Sequence, residues 1–96
     1  MNELESKRIV ITGGSLGIGL SVAEACAIQG AEVIIVARNQ NDLDESLKKI
    51  CSISNRNHLA YSLDVSNLKD ITIFAEWIKS KNLEIDGIVN CAGIYG

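Results

Sequence analysis

Four short apolar runs alternate with three longer stretches in which apolar residues recur every three or four positions. The first run, Lys7–Thr12, is β-branched through its middle and reads as a strand buried on both faces. Gly17–Gln29 then sets Ile18, Val22, Ala25 and Cys26 on one helical face. That face is small-sided, which lets a helix lie close to a sheet, and Gly30 stops the helix as a C′ glycine would. Ala31–Ala37 reads as a second buried strand. Asn39 is the expected cap of a second helix, with Asp42 three residues on. Leu43, Leu47 and Ile50 follow at helical spacing, opposite Glu45, Lys48 and Lys49. The polar stretch Ser52–Asn57 breaks the pattern and is expected to be a loop.

His58–Leu63 reads as the third strand, with His58 exposed at its start and carrying no ligand. Ser66 is placed to cap a third helix whose inward stripe is Leu68, Ile71, Ala75 and Ile78. Phe74 and Trp77 flank that stripe, packing on the sheet or beside a subunit contact. Ser80–Glu84 ends the helix, Ile85–Asn90 is the fourth strand, and Cys91–Gly96 is a turn of small residues. Strands separated by helices must run parallel with right-handed crossovers. The pattern therefore predicts an α/β fold, a doubly wound parallel sheet of form β-α-β-α-β-α-β with strand order 3-2-1-4.

Length and composition narrow the field. Ninety-six residues make one domain at most, and 47% apolar against 22% charged residues is a globular balance. A net charge of −3 without a basic cluster argues against a nucleic-acid partner or an anionic lipid surface. No apolar run is long enough to span a membrane, and the opening MNELESKR lacks the order of a signal peptide. Cys26, Cys51 and Cys91 form no metal pattern. They read as buried, unreactive thiols in a reducing, cytoplasmic compartment.

The candidate chemistry lies in Thr12–Gly19, TGGSLGIG, between the first strand and the first helix. Gly13 can take a positive φ, Gly17 leaves room for a phosphate near the backbone, and Gly19 lets the helix pack closely. The first helical turn points unpaired N–H groups and a positive dipole end at an anion. Gly13, Gly14, Ser15, Leu16, Gly17, Ile18 and Gly19 make up the expected binding stretch. The spacing is neither G-x-G-x-x-G nor that of an NTPase loop, since no Lys follows. TGGSLGIG resembles the T-G-x-x-x-G-x-G signature of the short-chain dehydrogenases/reductases, and further matches follow in order as far as Gly93. The resemblance implies a Rossmann-type NAD(P)-binding domain over 1–96, the front portion of that family's fold.

Arg38 points to the cofactor. An acid at the end of the second strand holds the ribose hydroxyls of NAD; here Ala37 takes that place and Arg38 follows. A guanidinium pairs with a 2′-phosphate, so NADP(H) is favoured over NAD(H). Against this, Leu16 stands where NADP-preferring relatives often carry a basic residue, although Ser15 offers a hydroxyl. By the same resemblance, Asp64 would meet the adenine amino group and Val65 would pack on the ring. Asn90–Gly93, NCAG, resembles the family's N-N-A-G: Asn90 ties the sheet, while Ala92 and Gly93 leave the nicotinamide ribose room. Cys91 replaces the second Asn and loses an amide that both donates and accepts.

The family transfers hydride between the cofactor and a small carbonyl or alcohol substrate, with a Tyr proton donor followed four residues later by Lys. Neither Tyr61 nor Tyr95 is followed by Lys at that spacing, so no catalytic acid/base is expected within these residues. The resemblance thus implies an NADP-dependent oxidoreductase, homo-oligomeric as a whole, represented here by an inactive cofactor-binding segment. Two alternatives remain at this stage: a stand-alone, non-catalytic dinucleotide-binding or regulatory module, and a structural α/β partner domain with an empty glycine turn.

Overall fold

A computed structural model describes residues 3–13 and 17–91. The elements run β1 (Arg8–Thr12), α1 (Gly17–Ile28), β2 (Glu32–Ala37), α2 (Gln40–Ile53), β3 (Leu59–Ser62), α3 (Leu68–Ser80) and β4 (Gly87–Asn90). All strand pairings are parallel and the sheet order is β3-β2-β1-β4, as the alternation of elements predicts. β1 and β2 are the central strands. Their apolar runs are buried on both faces because helices cover both.

The two faces differ in how they are filled. Ile9, Ile11, Val33 and Ile35 point toward α1 and α2 and pack with Ala23, Ala27, Leu43 and Ile50. Val10, Ile34 and Val36 point the other way, into a cluster with Leu63, Tyr61, Phe74 and Trp77. Small residues on α1 bring its axis close to the sheet, but the inward face differs from the expected one. Gly19, Ala23 and Ala27 are buried, whereas Ile18 is half exposed and Ala25 faces solvent. The apolar count on α1 is high all round, so hydrophobicity alone does not choose a face; the smallest residues win because they allow the closest approach.

The caps follow local chemistry. The Asn39 side chain accepts from the Asp42 N–H at 3.0 Å, capping α2 as expected. Gly30, at φ 94°, lets the Ala31 N–H reach back to the Cys26 carbonyl at 3.1 Å and close α1. Asn82, at φ 60°, does the same for α3: the Leu83 N–H meets the Ile78 carbonyl at 3.2 Å.

Several expectations are corrected. α2 continues through Ile53, so Ser52 and Ile53 are helical; the Ser52 hydroxyl donates to the Lys49 carbonyl at 2.6 Å inside the last turn. Asn67, not Ser66, caps α3, its side chain accepting from the Lys69 and Asp70 N–H groups. The stripe predicted to face inward on α3 is largely outside: Leu68 is 78% exposed, and Ile71 and Ala75 are exposed too. Phe74 and Trp77 make the contact with the sheet instead, each tilted by about 50° against Tyr61 with ring centroids 4.9 and 4.8 Å away. Their larger area gives the stronger drive to burial. Cys51 is exposed on α2 rather than buried, while Cys91 is buried and Cys26 half-buried. His58 is also buried, at 5% exposure, and hydrogen-bonded on both ring nitrogens.

Candidate functional site

Parallel register places the C-terminal ends of the four strands on one edge of the sheet. After β1 the chain moves toward β2 and β3; β4 lies on the other side of β1. The strand order therefore reverses beside β1, the position at which open α/β sheets form a crevice. Gly13 follows β1, Arg38 follows β2, Asp64 follows β3, and Asn90 ends β4. The topology thus gathers these four sequence-predicted residues on one edge. Gly14, Ser15, Leu16, Ala92 and Gly93 lie outside the described residues.

The turn out of β1 uses the left-handed backbone that its glycines permit. Gly13 has φ 73° and Gly17 has φ 53°. The Gly13 N–H donates to the Val36 carbonyl at 2.7 Å, so the turn is anchored to the end of β2. α1 begins at Gly17 and has no acidic residue in its first turn, leaving its positive dipole end uncompensated from within. Gly17 and Ile18 are exposed at this end, and Gly19 is buried against the sheet.

β1 and β4 are joined across the switch point. The Thr12 hydroxyl donates to Asn90 Oδ1 at 2.7 Å, and the Cys91 N–H donates to the Thr12 carbonyl at 3.0 Å. Cys91, the departure from N-N-A-G, is buried, so the lost amide is replaced by a small apolar side chain in the core. Burial pushes the half-buried Cys26 thiol up, and Cys91 adds to the effect. Neither feature resembles an activated nucleophile.

Arg38 is exposed. Its carbonyl accepts from the Ser62 hydroxyl at 2.8 Å, and the preceding Ala37 carbonyl accepts from the Leu63 N–H at 2.9 Å. β3 therefore fixes the backbone from which the guanidinium extends. Asp64 Oδ1 accepts from both the Ser66 hydroxyl, at 2.6 Å, and the Ser66 N–H, at 2.9 Å. These bonds hold its carboxyl below the usual carboxylate range, with a smaller contribution from the Arg38 charge. The Asp64 N–H donates to Asp70 Oδ2 at 3.2 Å, and Val65 is 38% exposed beside it. Thr12, Ser62, Ser66 and Asp70 support the edge through these bonds, yet the sequence reading did not select them. Only Thr12 carried a signal, its place at the head of the glycine motif; the other three act through contacts that cross turns or strands.

Among the described residues no group of His, Cys, Asp and Glu could hold a metal ion, and no helix is long and apolar enough to cross a membrane.

Comparison with known proteins agrees with this arrangement. The sequence profile described as short chain dehydrogenase matches residues 7–96. The chain is 35% identical to a (+)-neomenthol dehydrogenase from Arabidopsis thaliana over 99 residues, covering 100% of this chain and 33% of that relative. It is 36% identical over 95 residues to an NADP-dependent 3-hydroxy acid dehydrogenase from Schizosaccharomyces pombe, covering 98% of this chain and 37% of the relative. Among solved structures, an L-sorbose reductase from Gluconobacter frateurii, complexed with NADPH and L-sorbose, superposes with a TM-score of 0.84 at 30% identity. That match covers 92% of this chain and 34% of the reductase. A short chain dehydrogenase from Salmonella enterica superposes with a TM-score of 0.86 at 26% identity, over 94% of this chain and 38% of that one. The chain thus spans roughly a third of the length of these relatives. With the profile matched from the first strand onward and the strand order it requires in place, the chain belongs to the short-chain dehydrogenase family.

Proposed function

We propose that this chain forms the NADP(H)-binding part of an oxidoreductase that transfers hydride between the nicotinamide and a small carbonyl or alcohol substrate. The observation that carries the cofactor preference is Arg38. It is exposed at the strand-end edge directly after β2, with Ala37 where an NAD-binding chain would carry an acid. A guanidinium there pairs with a ribose 2′-phosphate through charge-assisted hydrogen bonds. The S. pombe relative is NADP-dependent by name and the sorbose reductase holds NADPH, which supports the same reading.

The residues present fit such a cofactor. The positive-φ turn at Gly13 and Gly17 and an α1 N-terminus free of acids suit a pyrophosphate. Gly14, Ser15, Leu16, Ile18 and Gly19 complete that subsite by the motif. Asp64 accepts from the adenine amino group and Val65 packs on the ring. Asn90 fixes the end of β4, and Ala92 and Gly93 leave room for the nicotinamide ribose. The cofactor supplies the hydride; the chain's own residues bind and orient it. The proton donor is supplied from outside these 96 residues, which contain no Tyr followed four positions later by Lys, and the segment alone does not turn over substrate. The whole enzyme is a cytoplasmic homo-oligomer.

Titration of the purified protein with NADPH and with NADH, read by nicotinamide fluorescence, tests the proposal. Arg38→Asp is expected to weaken NADPH by roughly tenfold or more while NADH changes little. Equal losses for the two cofactors would remove Arg38 from the phosphate site, and the absence of binding by either would overturn the whole reading.

A further inference from the structure

At the opposite end of the sheet, far from the glycine turn, His58 occupies a position no part of the cofactor reading uses. We propose that His58 is an acid-sensitive latch. Its imidazole joins the end of α2 to the β2–β3 edge, and protonation of the ring releases that junction.

The geometry fixes which form of the ring the fold requires. Val33 is fully buried, and its backbone N–H donates to His58 Nδ1 at 3.1 Å. The neighbouring Glu32 N–H turns the other way, to the Lys7 carbonyl on the β1 side. β2 and β3 pair from Ile34 and Leu59 onward. The ring nitrogen therefore adds one rung before the ladder begins, taking the place a strand carbonyl would otherwise fill. An N–H donor requires a lone pair on Nδ1, so the proton of the neutral ring must sit on Nε2. Nε2 lies 2.8 Å from the hydroxyl of Ser54, the C-cap residue of α2, which then accepts. Both ring nitrogens are committed, and a second proton can go only to Nδ1. It would set two donors face to face and leave a buried strand amide without an acceptor.

The surrounding charges do not offset this. Glu32 on β2 favours the cation and Arg56 on the α2–β3 connection opposes it, and each has its own partner, Arg8 for Glu32 and Glu5 for Arg56. Burial outweighs the raising effects of the Ser54 backbone and of Glu32, Arg56 acts in the same direction as burial, and the ring is held below the usual imidazole range. The sign is then set: the unfolded chain binds the proton more readily than the folded one. Stability is full above the ordinary imidazole pKa of roughly 6.5 and falls as pH drops toward the lowered folded value.

His58 is the sole histidine of the chain, so the signal is assignable directly. Imidazole 15N NMR of the purified protein should show the Nε2–H tautomer at neutral pH and a titration midpoint below that of a free histidine. Urea unfolding should give a flat midpoint above about pH 7 and a falling one toward pH 5. The unfolding constant should rise by up to about tenfold per pH unit separating folded from unfolded ring pKa. His58→Asn keeps an acceptor oxygen near the Nδ1 position without a titrating group, and should flatten that window. A ring titrating at or above the ordinary value, or a variant as acid-labile as the parent, would overturn the proposal. Should the variant not fold, the ring's tautomer and midpoint in the parent decide alone.

Discussion

Thr12 Oγ1 donates to Asn90 Oδ1 across 2.7 Å, and the same two residues are direct register partners in β1 and β4. Their backbones run parallel at the point where the strand order reverses, and the side-chain bond ties the two strand ends together there. One end of this bond heads the glycine turn and the other begins the NCAG stretch. The two motifs, 78 positions apart in sequence, are thereby one structural unit.

Replacing Thr12 with Val keeps the shape and β-propensity but removes the hydroxyl. Loss of about 1 kcal/mol of stability is expected, the net value of a hydrogen bond whose acceptor can still find water. Thr12→Ser should retain most of it. Urea midpoints of the three proteins check the size, and dinucleotide affinity should weaken in the same order. A Val variant as stable as the parent would mean that backbone pairing alone holds β4.

The Ser66 hydroxyl and N–H both donate to Asp64, and they are the first causes of its lowered pKa. A carboxyl depressed in the folded state contributes stability above its unfolded value, roughly 3.9, and loses it as pH falls through the folded value. Ser66→Ala removes the larger of the two bonds. The Asp64 carboxyl midpoint, followed by 13C NMR, is expected to move up toward the ordinary value and stay below it, because the backbone bond remains. An unchanged midpoint would assign the shift to something other than Ser66.

Gly17 begins α1 at φ 53°, where any other residue places its Cβ against backbone. Gly17→Ala is expected to cost about 1–2 kcal/mol. The measurement that separates strain from phosphate approach is a pair of readings, thermal midpoint and NADPH affinity. If Gly17 serves only the turn, stability falls and affinity of the folded fraction does not; the proposed pyrophosphate site requires both to fall.

Sequence periodicity was enough for element order, strand order and both central strands, because a fully buried parallel strand must be apolar on both faces and β1 and β2 are. Asn39 and Gly30 were legible as caps since their chemistry acts within a few residues. Long-range partners were not. His58 reads as a polar residue at a strand start, and only its place beside Val33, 25 residues earlier, makes it a buried acceptor. Ser66 looked like a helix cap because it precedes an apolar stripe, yet Asp64 two residues back engages it and Asn67 caps instead. On α1 a nearly uniform apolar surface hid the face chosen by Gly19, Ala23 and Ala27. At the candidate site, Arg38 and Asp64 were legible from their order after β2 and β3, while Ser62 beneath Arg38 required the register of those strands.

The orientation of α3 supplies the sharpest test of packing against pattern. Phe74 and Trp77, 5.8 Å apart between ring centroids, meet Tyr61 and the Val10, Ile34 and Val36 side of the sheet. Leu68 projects into solvent at 78% exposure. Helical spacing puts Leu68 in the stripe that packs and Phe74 and Trp77 on its flanks. Phe74→Ala should therefore cost about 2 kcal/mol, below the full penalty for a buried ring because Phe74 is only half-buried. Leu68→Lys should change stability by no more than about 0.5 kcal/mol. Urea unfolding of both variants distinguishes the cases directly. A large loss at Leu68 with a small one at Phe74 would return the packing face to the sequence pattern, about 120° round the helix from Phe74, since six residues at about 100° each separate the two.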